Sequence, residues 1–353
     1  MSIQNRYATT ALVDFATALL DKAGLEHEKS VAVADILVEG DLLGHDTHGL
    51  HLLAAYLKDI ESGAMRTEGS PRAIADFPAA VTWDGMRLPG PWLTLKAIEI
   101  AMERARVNGT CTVAIRRSHH IACLAAYLKR VTDQGLMIII SSSGPEVGGV
   151  APHGGRKDVY TPNPLAAAWP TDGEPVMIDV SMSITTHGLT RRLHAEGRKL
   201  PGQWIIDGKG NPSDDPAVLF ANPPGALLPI GGIDHGHKGY ALGLLVEALT
   251  GGLAGHGRAD PVEGWAANVY VQVLNPALYA GSQDFVRQTA WVANACRNTP
   301  PRPGFERVRL PGEAGLARRA QQIREGIALY PSIMPALAPW AEKLGVEAPQ
   351  PLK

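Results

Sequence analysis

The spacing of apolar residues changes along the chain, and this change most constrains the fold. Over residues 9–24 and 29–43, apolar residues recur at three- and four-residue steps, which predicts helices with one buried face. A short β-branched run at 110–115 and a continuous apolar run at 136–141 instead predict strands. The chain is therefore predicted to combine a helical lobe with a sheet, in a mixed α/β fold.

Turn and cap residues place the remaining elements. Thr47 is the predicted N-cap of a third helix that stops at Ser62-Gly63, and Pro91 suits the first turn of a helix that ends at Asn108-Gly109. The segment 200–229 is rich in Pro, Gly and Asp and is predicted to be mostly irregular. Further helices are predicted at 121–132, 183–196, 240–253, 284–296 and 313–344, and further strands at 175–180 and 268–273.

Charge and cysteine usage narrow the class of protein. The formal net charge is −2, and Lys and Arg are scattered, so no nucleic-acid partner is expected. The three cysteines lack CxxC spacing, which argues against disulfides or a thiolate zinc site and favours a reducing cytoplasm. Asp14 and Asp21 interrupt the first apolar pattern, so the N-terminus predicts an amphipathic helix, and no membrane partner is expected.

Familiar nucleotide and hydrolase motifs are missing from the sequence. No GxGxxG follows a predicted strand, and the turn at 231–239 (GGIDHGHKG) is not a phosphate-binding P-loop. GxSxG and HExxH are absent as well. A nucleotide would therefore bind in some way other than on a standard Rossmann site.

Histidines supply the candidate proton-transfer groups. His48 and Tyr56 are eight residues apart on the predicted third helix, about 80° apart around its axis, so both can face one cleft. His119 and His120 precede the helix predicted at 121, where the helix dipole would lower a histidine pKa and suit an acid or base. The alternatives are that the first pair lies on the solvated edge of a helix and that the second caps one.

Polar residues at two predicted helix starts are candidates for ligand binding. Asp179, Ser181 and Ser183 close a strand and open a helix, where they would hold ribose or phosphate oxygens, or where a serine would serve only as an N-cap. Lys238 follows a glycine-rich turn and would suit an anionic ligand. His235-x-His237 has metal-ligand spacing, but no acidic cluster with matching spacing accompanies it, so no metal site is predicted.

Several motifs share their order and spacing with one known family. They are Thr47-His48-Gly49 with Tyr56, Ser118-His119-His120, Val150-Ala151-Pro152-His153-Gly154-Gly155, Asn163-Pro164, Asp179 to Ser183 with Gly188, Leu200-Pro201 through Trp204, Asp207 and Gly210, His237-Lys238-Gly239-Tyr240, and Leu310-Pro311-Gly312-Glu313. On these motifs, across nearly the whole chain, it resembles the type-2 malate/L-lactate dehydrogenase family. That family includes ureidoglycolate and sulfolactate dehydrogenases, diketogulonate reductase and piperideine/pyrroline-2-carboxylate reductases.

The resemblance implies an architecture. It implies a sulfolactate-dehydrogenase-like fold distinct from the Rossmann type, in which a central mixed sheet is joined by helices from both termini, and a homodimer. The implied organisation is an N-terminal helical lobe over 1–110, a cofactor-binding and central sheet region over 111–300, and C-terminal helices over 301–353 that pack back on the first lobe.

The resemblance also implies roles for individual residues. His120 would be the proton donor and acceptor, and His48 and Tyr56 would line the substrate and nicotinamide pocket. The implied cofactor contacts are His48, Ile121, Ser143, Asp179, Val180, Ser181, His187, Lys238, Pro311, Gly312 and Glu313.

The sequence departs from the family pattern at three places. Leu52 stands where the family usually has an arginine that clamps a carboxylate, so either the substrate lacks a second carboxylate or Arg116, Arg117 or His51 takes over. Leu189 replaces a common lysine, and Thr161-Pro162-Asn163 departs from a Gly-Thr-Asn motif. His187 and Arg191 would meet a 2′-phosphate, which favours NADPH over NADH.

The predicted function is hydride transfer. An NAD(P)H-dependent oxidoreductase would interconvert a small 2-oxo acid, or a cyclic 2-imino acid, and the 2-hydroxy or cyclic amino acid, with His120 as acid and base. One alternative is a metal-dependent lyase or hydrolase built on the clusters around His48, His120 and His237. Another is a non-catalytic ligand-binding relative, since Leu52 and the altered Asn163 segment remove familiar contacts.

Overall fold

The computed structural model describes residues 5–146, 148–261 and 264–352. The strands in these residues are β1 (Arg6–Tyr7), β2 (Arg72–Phe77), β3 (Ala80–Asp84), β4 (Thr110–His119), β5 (Met137–Ser143), β6 (Leu165–Trp169), β7 (Val176–Val180), β8 (Ile205–Ile206), β9 (Pro212–Ser213), β10 (Ala226–Leu227), β11 (Ala266–Leu274) and β12 (Ile327–Ala328). The α-helices are α1 (Thr9–Lys22), α2 (His27–Leu43), α3 (Leu53–Glu61), α4 (Gly90–Asn108), α5 (Lys129–Thr132), α6 (His187–Ala195), α7 (Gly232–Glu247), α8 (Ser282–Arg297), α9 (Glu313–Glu325) and α10 (Ile333–Leu344).

A seven-stranded sheet forms the centre of the structure. Its strand order is β2-β3-β4-β11-β5-β6-β7. Strands β3 and β4 are parallel, and every other neighbouring pair is antiparallel. The predicted mixed α/β fold with a central mixed sheet is confirmed, and the arrangement differs from the mostly parallel sheet of a Rossmann domain.

Helices from both ends of the chain pack together beside this sheet. Helix α4 packs on β4 and β11, α2 packs on α4 and α9, and α10 packs on α1 and α3. Strand β1 pairs with β12, which joins the first and last parts of the described chain. One continuous apolar core runs from Tyr7 through β4, β5 and β11 to Ala341.

Long segments with a strong period form where they are predicted. Helices α1, α2, α4 and α8 and strands β7 and β11 are confirmed to within a few residues. Strands β2, β3 and β6 were not predicted. Most of the side chains of β2 are exposed, so this strand shows no alternation of buried and exposed residues, and β6 has the sequence LAAAW, which contains no β-branched residue.

The prediction that Thr47 caps a helix is wrong. The chain turns through residues 44–49, and a 3₁₀ turn at Leu50–Leu52 leads into α3. The buried carboxylate of Asp41 accepts the Leu50 N–H at 2.8 Å, while the Thr47 hydroxyl lies 2.8 Å from Nδ1 of His48. His48 therefore precedes the helix that it was predicted to share with Tyr56.

Two further predicted helix starts are also wrong. Strand β4 continues to His119, and residues 121–132 form a 3₁₀ turn at Leu124–Tyr127 followed by the short α5. Helix α6 begins at His187, and Thr186 caps it by accepting the Leu189 N–H at 3.2 Å. Ser181 and Ser183 are therefore not N-caps, and the predicted helix over 183–196 starts later than expected.

The segment 200–229 is mostly irregular, as predicted, apart from a small three-stranded sheet of β8, β9 and β10 and a 3₁₀ turn at Pro216–Phe220. Among the described residues, no helix has the length and apolar character needed to cross a bilayer.

The first prediction concerns the close approach of α4 to the end of β4. A Cβ at Gly90 would overlap the carbonyl oxygens of His119 and His120. We expect Gly90→Ala to lower the free energy of unfolding by about 1–3 kcal/mol, because the backbone of either α4 or β4 must shift. Urea denaturation measures the change. Gly173→Ala is the control, since nothing lies within 4 Å of a Cβ there, and equal stability of the two variants would contradict the prediction.

Candidate active site

A cavity of about 480 Å³ lies at one edge of the central sheet. Strands β4, β5 and β7 end at this edge, and β6 and β11 begin there, so loops from five strands meet around it. The volume falls within the range of small-molecule sites. Of the predicted site residues, the cavity is lined by His48, His120, Ile121, Ser143, Asp179, Ser181 and His187.

Tyr56 and His120 form a hydrogen-bonded pair at this cavity. The Tyr56 hydroxyl lies 2.9 Å from Nδ1 of His120 and 3.1 Å from the His120 carbonyl oxygen. It can donate to Nδ1 when that nitrogen is unprotonated, as the Ala122 N–H does at 3.2 Å, or donate to the carbonyl and accept from Nδ1–H when the ring is charged. Nε2 of His120 has no hydrogen-bond partner among the described residues and is the nitrogen available to a ligand.

Trp265 covers the His120 ring. The two ring centroids are 4.6 Å apart and the rings are tilted by 26°, while Tyr56 and His119 meet the indole edge-on. Sequence reasoning missed Trp265 because it lies outside every motif and precedes β11 by one residue. The indole lines the cavity beside His120 and restricts the access of water to the imidazole.

Burial makes the two cavity histidines weak bases. It lowers the pKa of His120 well below its usual range, and neighbouring His48 and His119 lower it further. Burial also lowers the pKa of His48 to about 4. The predicted cause, a helix dipole at His120, is wrong because no helix starts there. Burial therefore disfavours the charged form of both rings.

His119 lies outside the cavity. Its Nε2 is 2.9 Å from Asp59 Oδ2, and its side chain is almost fully buried. Although the two histidines are adjacent, His119 therefore stabilises the structure around Tyr56, whereas His120 faces the cavity.

Asp179 lines the same cavity, near the end of β7. Its Oδ2 accepts the Ala125 N–H at 2.9 Å, and burial raises its pKa. Ser181 donates to the Ser183 carbonyl at 2.9 Å. Val180 is exposed and does not line the cavity among the described residues.

Lys238 does not occupy the position that was predicted for it. Helix α7 begins at Gly232, so Lys238 is in its second turn and the argument from a helix start fails. The lysine is exposed and is not among the described residues that line the cavity.

Pro311 and Gly312 line a second cavity, of about 710 Å³, with Arg302, Arg307 and Arg309. The Pro311 carbonyl accepts the Met177 N–H at 3.2 Å, which attaches this cavity to the strand that carries Asp179. Glu313 begins α9, and its Oε1 accepts from Arg297 Nε at 2.7 Å.

None of the residues considered as a substitute carboxylate clamp reaches the first cavity. Arg116 and Arg117 bind the buried carboxylate of Asp84 at 3.1–3.2 Å, and His51 is exposed. The described lining of the cavity contains no lysine or arginine.

The lining instead contains a carboxyl group, that of Glu146. Its Oε1 accepts the Ala266 N–H at 3.1 Å, its buried Oε2 has no partner among the described residues, and burial raises its pKa. Sequence reasoning missed Glu146, which follows Gly144-Pro145 and belongs to none of the motifs.

The fold does not bring together the histidine clusters on which the alternative hypothesis of a metal-dependent lyase or hydrolase depends. The His48 and His120 ring centroids are 6.0 Å apart at the cavity, but the His237 ring lies beside His153 and His235. His48, His120 and His237 therefore do not form one ligand set.

Comparison with known proteins gives consistent matches over the whole fold. The model of the malate/L-lactate dehydrogenase family matches residues 7–338. The chain is 34% identical to an L-lactate dehydrogenase of Cupriavidus necator, over 90% of this chain and 91% of that protein. The malate dehydrogenase structure from Pyrococcus horikoshii superposes with a TM-score of 0.87 at 27% identity, covering 98% of this chain and 97% of that one. The delta1-piperideine-2-carboxylate reductase structure from Pseudomonas syringae superposes with a TM-score of 0.84 at 26% identity, covering 95% and 99%.

The second prediction tests whether Trp265 shields His120. In Trp265→Leu, water reaches the imidazole, so the pKa of His120 should move up toward its ordinary value of 6.5. An NMR titration of the histidine Cε1–H signals measures it, with His120→Ala identifying the resonance. Trp291→Leu, at an exposed position on α8, is the control. An unchanged His120 midpoint in Trp265→Leu would rule out the shielding role.

Proposed function

The chain belongs to the malate/L-lactate dehydrogenase family, and we propose that it interconverts a small 2-oxo acid, or a cyclic 2-imino acid, and the corresponding 2-hydroxy or cyclic amino acid with a nicotinamide cofactor. The observation that carries this proposal is the hydrogen-bonded pair of Tyr56 and His120, in which Nε2 of His120 is available at a cavity large enough for a small-molecule ligand. Reduction of a C=O or C=N bond needs one hydride and one proton, and the exposure of Nε2 to the cavity supports His120 as the source of the proton.

The described residues fit a dinucleotide that extends along β7. Polar groups at Asp179, Ser181 and His187 line the first cavity, and arginines line the second, which the Met177–Pro311 hydrogen bond joins to the same strand. Arginines suit phosphate groups because they donate in pairs. When bound, the reduced nicotinamide supplies the hydride. His187, with Arg191 one turn further along α6, and the arginine-lined cavity favour NADPH over NADH.

His120, Tyr56 and Trp265 together control the proton transfer. Protonated His120 gives its Nε2 proton to the oxygen or nitrogen on C2, and Tyr56 stabilises either form of the ring by exchanging its donor and acceptor roles at Nδ1. The low pKa makes imidazolium a strong acid toward a developing alkoxide or amine. In the reverse direction neutral His120 accepts the proton, and Trp265 limits competing exchange with water.

The charge of the cavity favours particular substrates. Glu146 lines the cavity and no described lysine or arginine does, although Arg258 lies near enough to lower the pKa of Glu146, so a second carboxylate or a sulfonate on the substrate would meet a carboxyl oxygen that has no partner. We therefore propose monocarboxylic 2-oxo acids, or cyclic imino acids whose protonated nitrogen would pair with Glu146.

We also propose that the protein is a homodimer in a reducing cytoplasm. Exposed apolar side chains on α7, at Ile233, Leu242, Leu244 and Leu245, support burial against a second copy in a homodimer. Cys111, Cys123 and Cys296 are unpaired, which supports a reducing cytoplasm. We propose no nucleic-acid or membrane partner.

The third prediction tests the proton donor. His120→Ala should lower kcat by roughly 10²–10⁴-fold while it leaves the Kd of the reduced dinucleotide nearly unchanged, because proton transfer and not cofactor binding is removed. Absorbance of the reduced nicotinamide gives the rate, and its fluorescence titration gives the Kd. His51→Ala, at an exposed histidine outside the cavity, is the control. A wild-type kcat in His120→Ala would rule out His120 as the proton donor.

The fourth prediction tests the charge preference. Glu146→Gln removes a like charge, so the ratio of kcat/KM for a dicarboxylic over a monocarboxylic 2-oxo acid should rise by about 10-fold. Steady-state rates with oxaloacetate and pyruvate as the matched pair measure the ratio. Glu103→Gln, at an exposed position on α4, should leave it unchanged. If both variants keep the wild-type ratio, Glu146 does not select the substrate.

A further inference from the structure

Three residues that are far apart in the sequence bring potential metal ligands together at the cavity. His45 follows α2, Cys123 precedes the 3₁₀ turn at Leu124–Tyr127, and Asp179 lies near the end of β7. A ring nitrogen, the thiol sulfur and a carboxylate oxygen of these residues all lie within 4.8 Å of one another. Among the described residues this is the one such group with three His, Cys, Asp or Glu members.

The ligand types and their spacing suit a tetrahedral zinc-class ion. Zinc bonds of about 2.0–2.3 Å place neighbouring ligand atoms roughly 3.3–3.8 Å apart. Cys123 Sγ is already 3.9 Å from Asp179 Oδ2, so these two need to move by only tenths of an ångström. A mixed set of nitrogen, sulfur and oxygen donors suits magnesium and calcium poorly, because these ions prefer sites made of oxygen ligands alone.

The three side chains differ in how firmly they are held. Cys123 is 3% exposed, and the Ala125 N–H holds Asp179 Oδ2 at 2.9 Å. The His45 ring makes no hydrogen bond within the described residues and is half-buried, so it can turn toward the other two. All three residues line the cavity, which leaves the fourth position of a tetrahedron open to its interior.

We propose that His45, Cys123 and Asp179 bind a divalent cation of the Zn²⁺ class in the wall of the cavity, and that this ion competes with the dinucleotide. The binding site stands on its own, whereas the competition rests on the proposed function, because it requires the cofactor to lie against Asp179. The site is not catalytic, since Nε2 of His120 is not one of its ligands. It differs from the histidine pairs considered in the sequence, none of which includes these residues.

Cobalt is the probe, because Co²⁺ substitutes for Zn²⁺ and its bond to a thiolate gives a charge-transfer absorption. The titration uses Cys296→Ser as the parent, which removes the exposed thiol. We expect this parent to bind one ion per chain and to show the thiolate band. The double variant that adds Cys111→Ser to the parent is the control and should behave in the same way, because the buried Cys111 thiol lies outside the cavity. Adding Cys123→Ser should abolish the band and weaken binding by at least about 100-fold.

A second ligand variant keeps the test independent of the thiol. Asp179→Asn should weaken Co²⁺ binding while it keeps the thiolate band at saturation, and circular dichroism shows that each variant is folded. Persistence of the band in Cys123→Ser, or no stoichiometric binding by the parent, overturns the site. If Cys123→Ser is unfolded, an unchanged Co²⁺ affinity in folded Asp179→Asn overturns it equally.

Competition is measured separately, by titrating NADPH fluorescence with and without Zn²⁺. The expected result is an apparent Kd for NADPH that rises linearly with the Zn²⁺ concentration in the parent and stays constant in Cys123→Ser. A Kd that Zn²⁺ does not change overturns competition, even where the cobalt band supports the site. Failure of the metal-free parent to bind NADPH or NADH overturns the proposed function, and the cobalt titration still decides the metal site.

Discussion

The hydrogen bond between the Tyr56 hydroxyl and Nδ1 of His120 is the interaction on which the site depends, because it joins the helical part of the chain to the central sheet. Tyr56 comes from α3, which packs on α10, while His120 follows β4, whose backbone is held against the first residue of α4. Any shift of the helices against the sheet would therefore separate the two groups. Trp265, from the start of β11, closes the same contact from the other side.

Burial sets the electrostatics of the cavity more than any single charge does. It lowers the pKa of His48 and His120 and raises that of Asp179 and Glu146, so for all four groups burial favours the uncharged form. A cavity of this kind favours a step in which charge develops and is then removed by proton transfer. Nothing in the described lining supplies a permanent positive charge.

Two groups of side chains at the cavity differ in their chemistry. His120 presents the nitrogen that we propose exchanges a proton, whereas His45, Cys123 and Asp179 present donors for a zinc-class cation. If both groups act as proposed, the availability of such an ion would control access of the cofactor without involving His120. The arginine-lined cavity is joined to β7 at Met177, so an ion at Asp179 would lie on the strand that carries both parts of the proposed dinucleotide site.

The sequence by itself determined the elements with strong periodicity, such as α1, α2, α4 and β11, and its motifs indicated the family and pointed to His120, His48 and Tyr56. The weakly patterned strands β2 and β6 were not predicted, and neither were the starts of α3, α6 and α7, because hydrogen bonds such as that from the Leu50 N–H to the Asp41 carboxylate override local cap signals. Only the tertiary structure decided that His119 faces away, that Trp265 and Glu146 face His120's cavity, and that Cys123 meets Asp179. The physical reason is that periodicity and caps report local preference, whereas burial and contact between distant residues depend on how the sheet and helices pack.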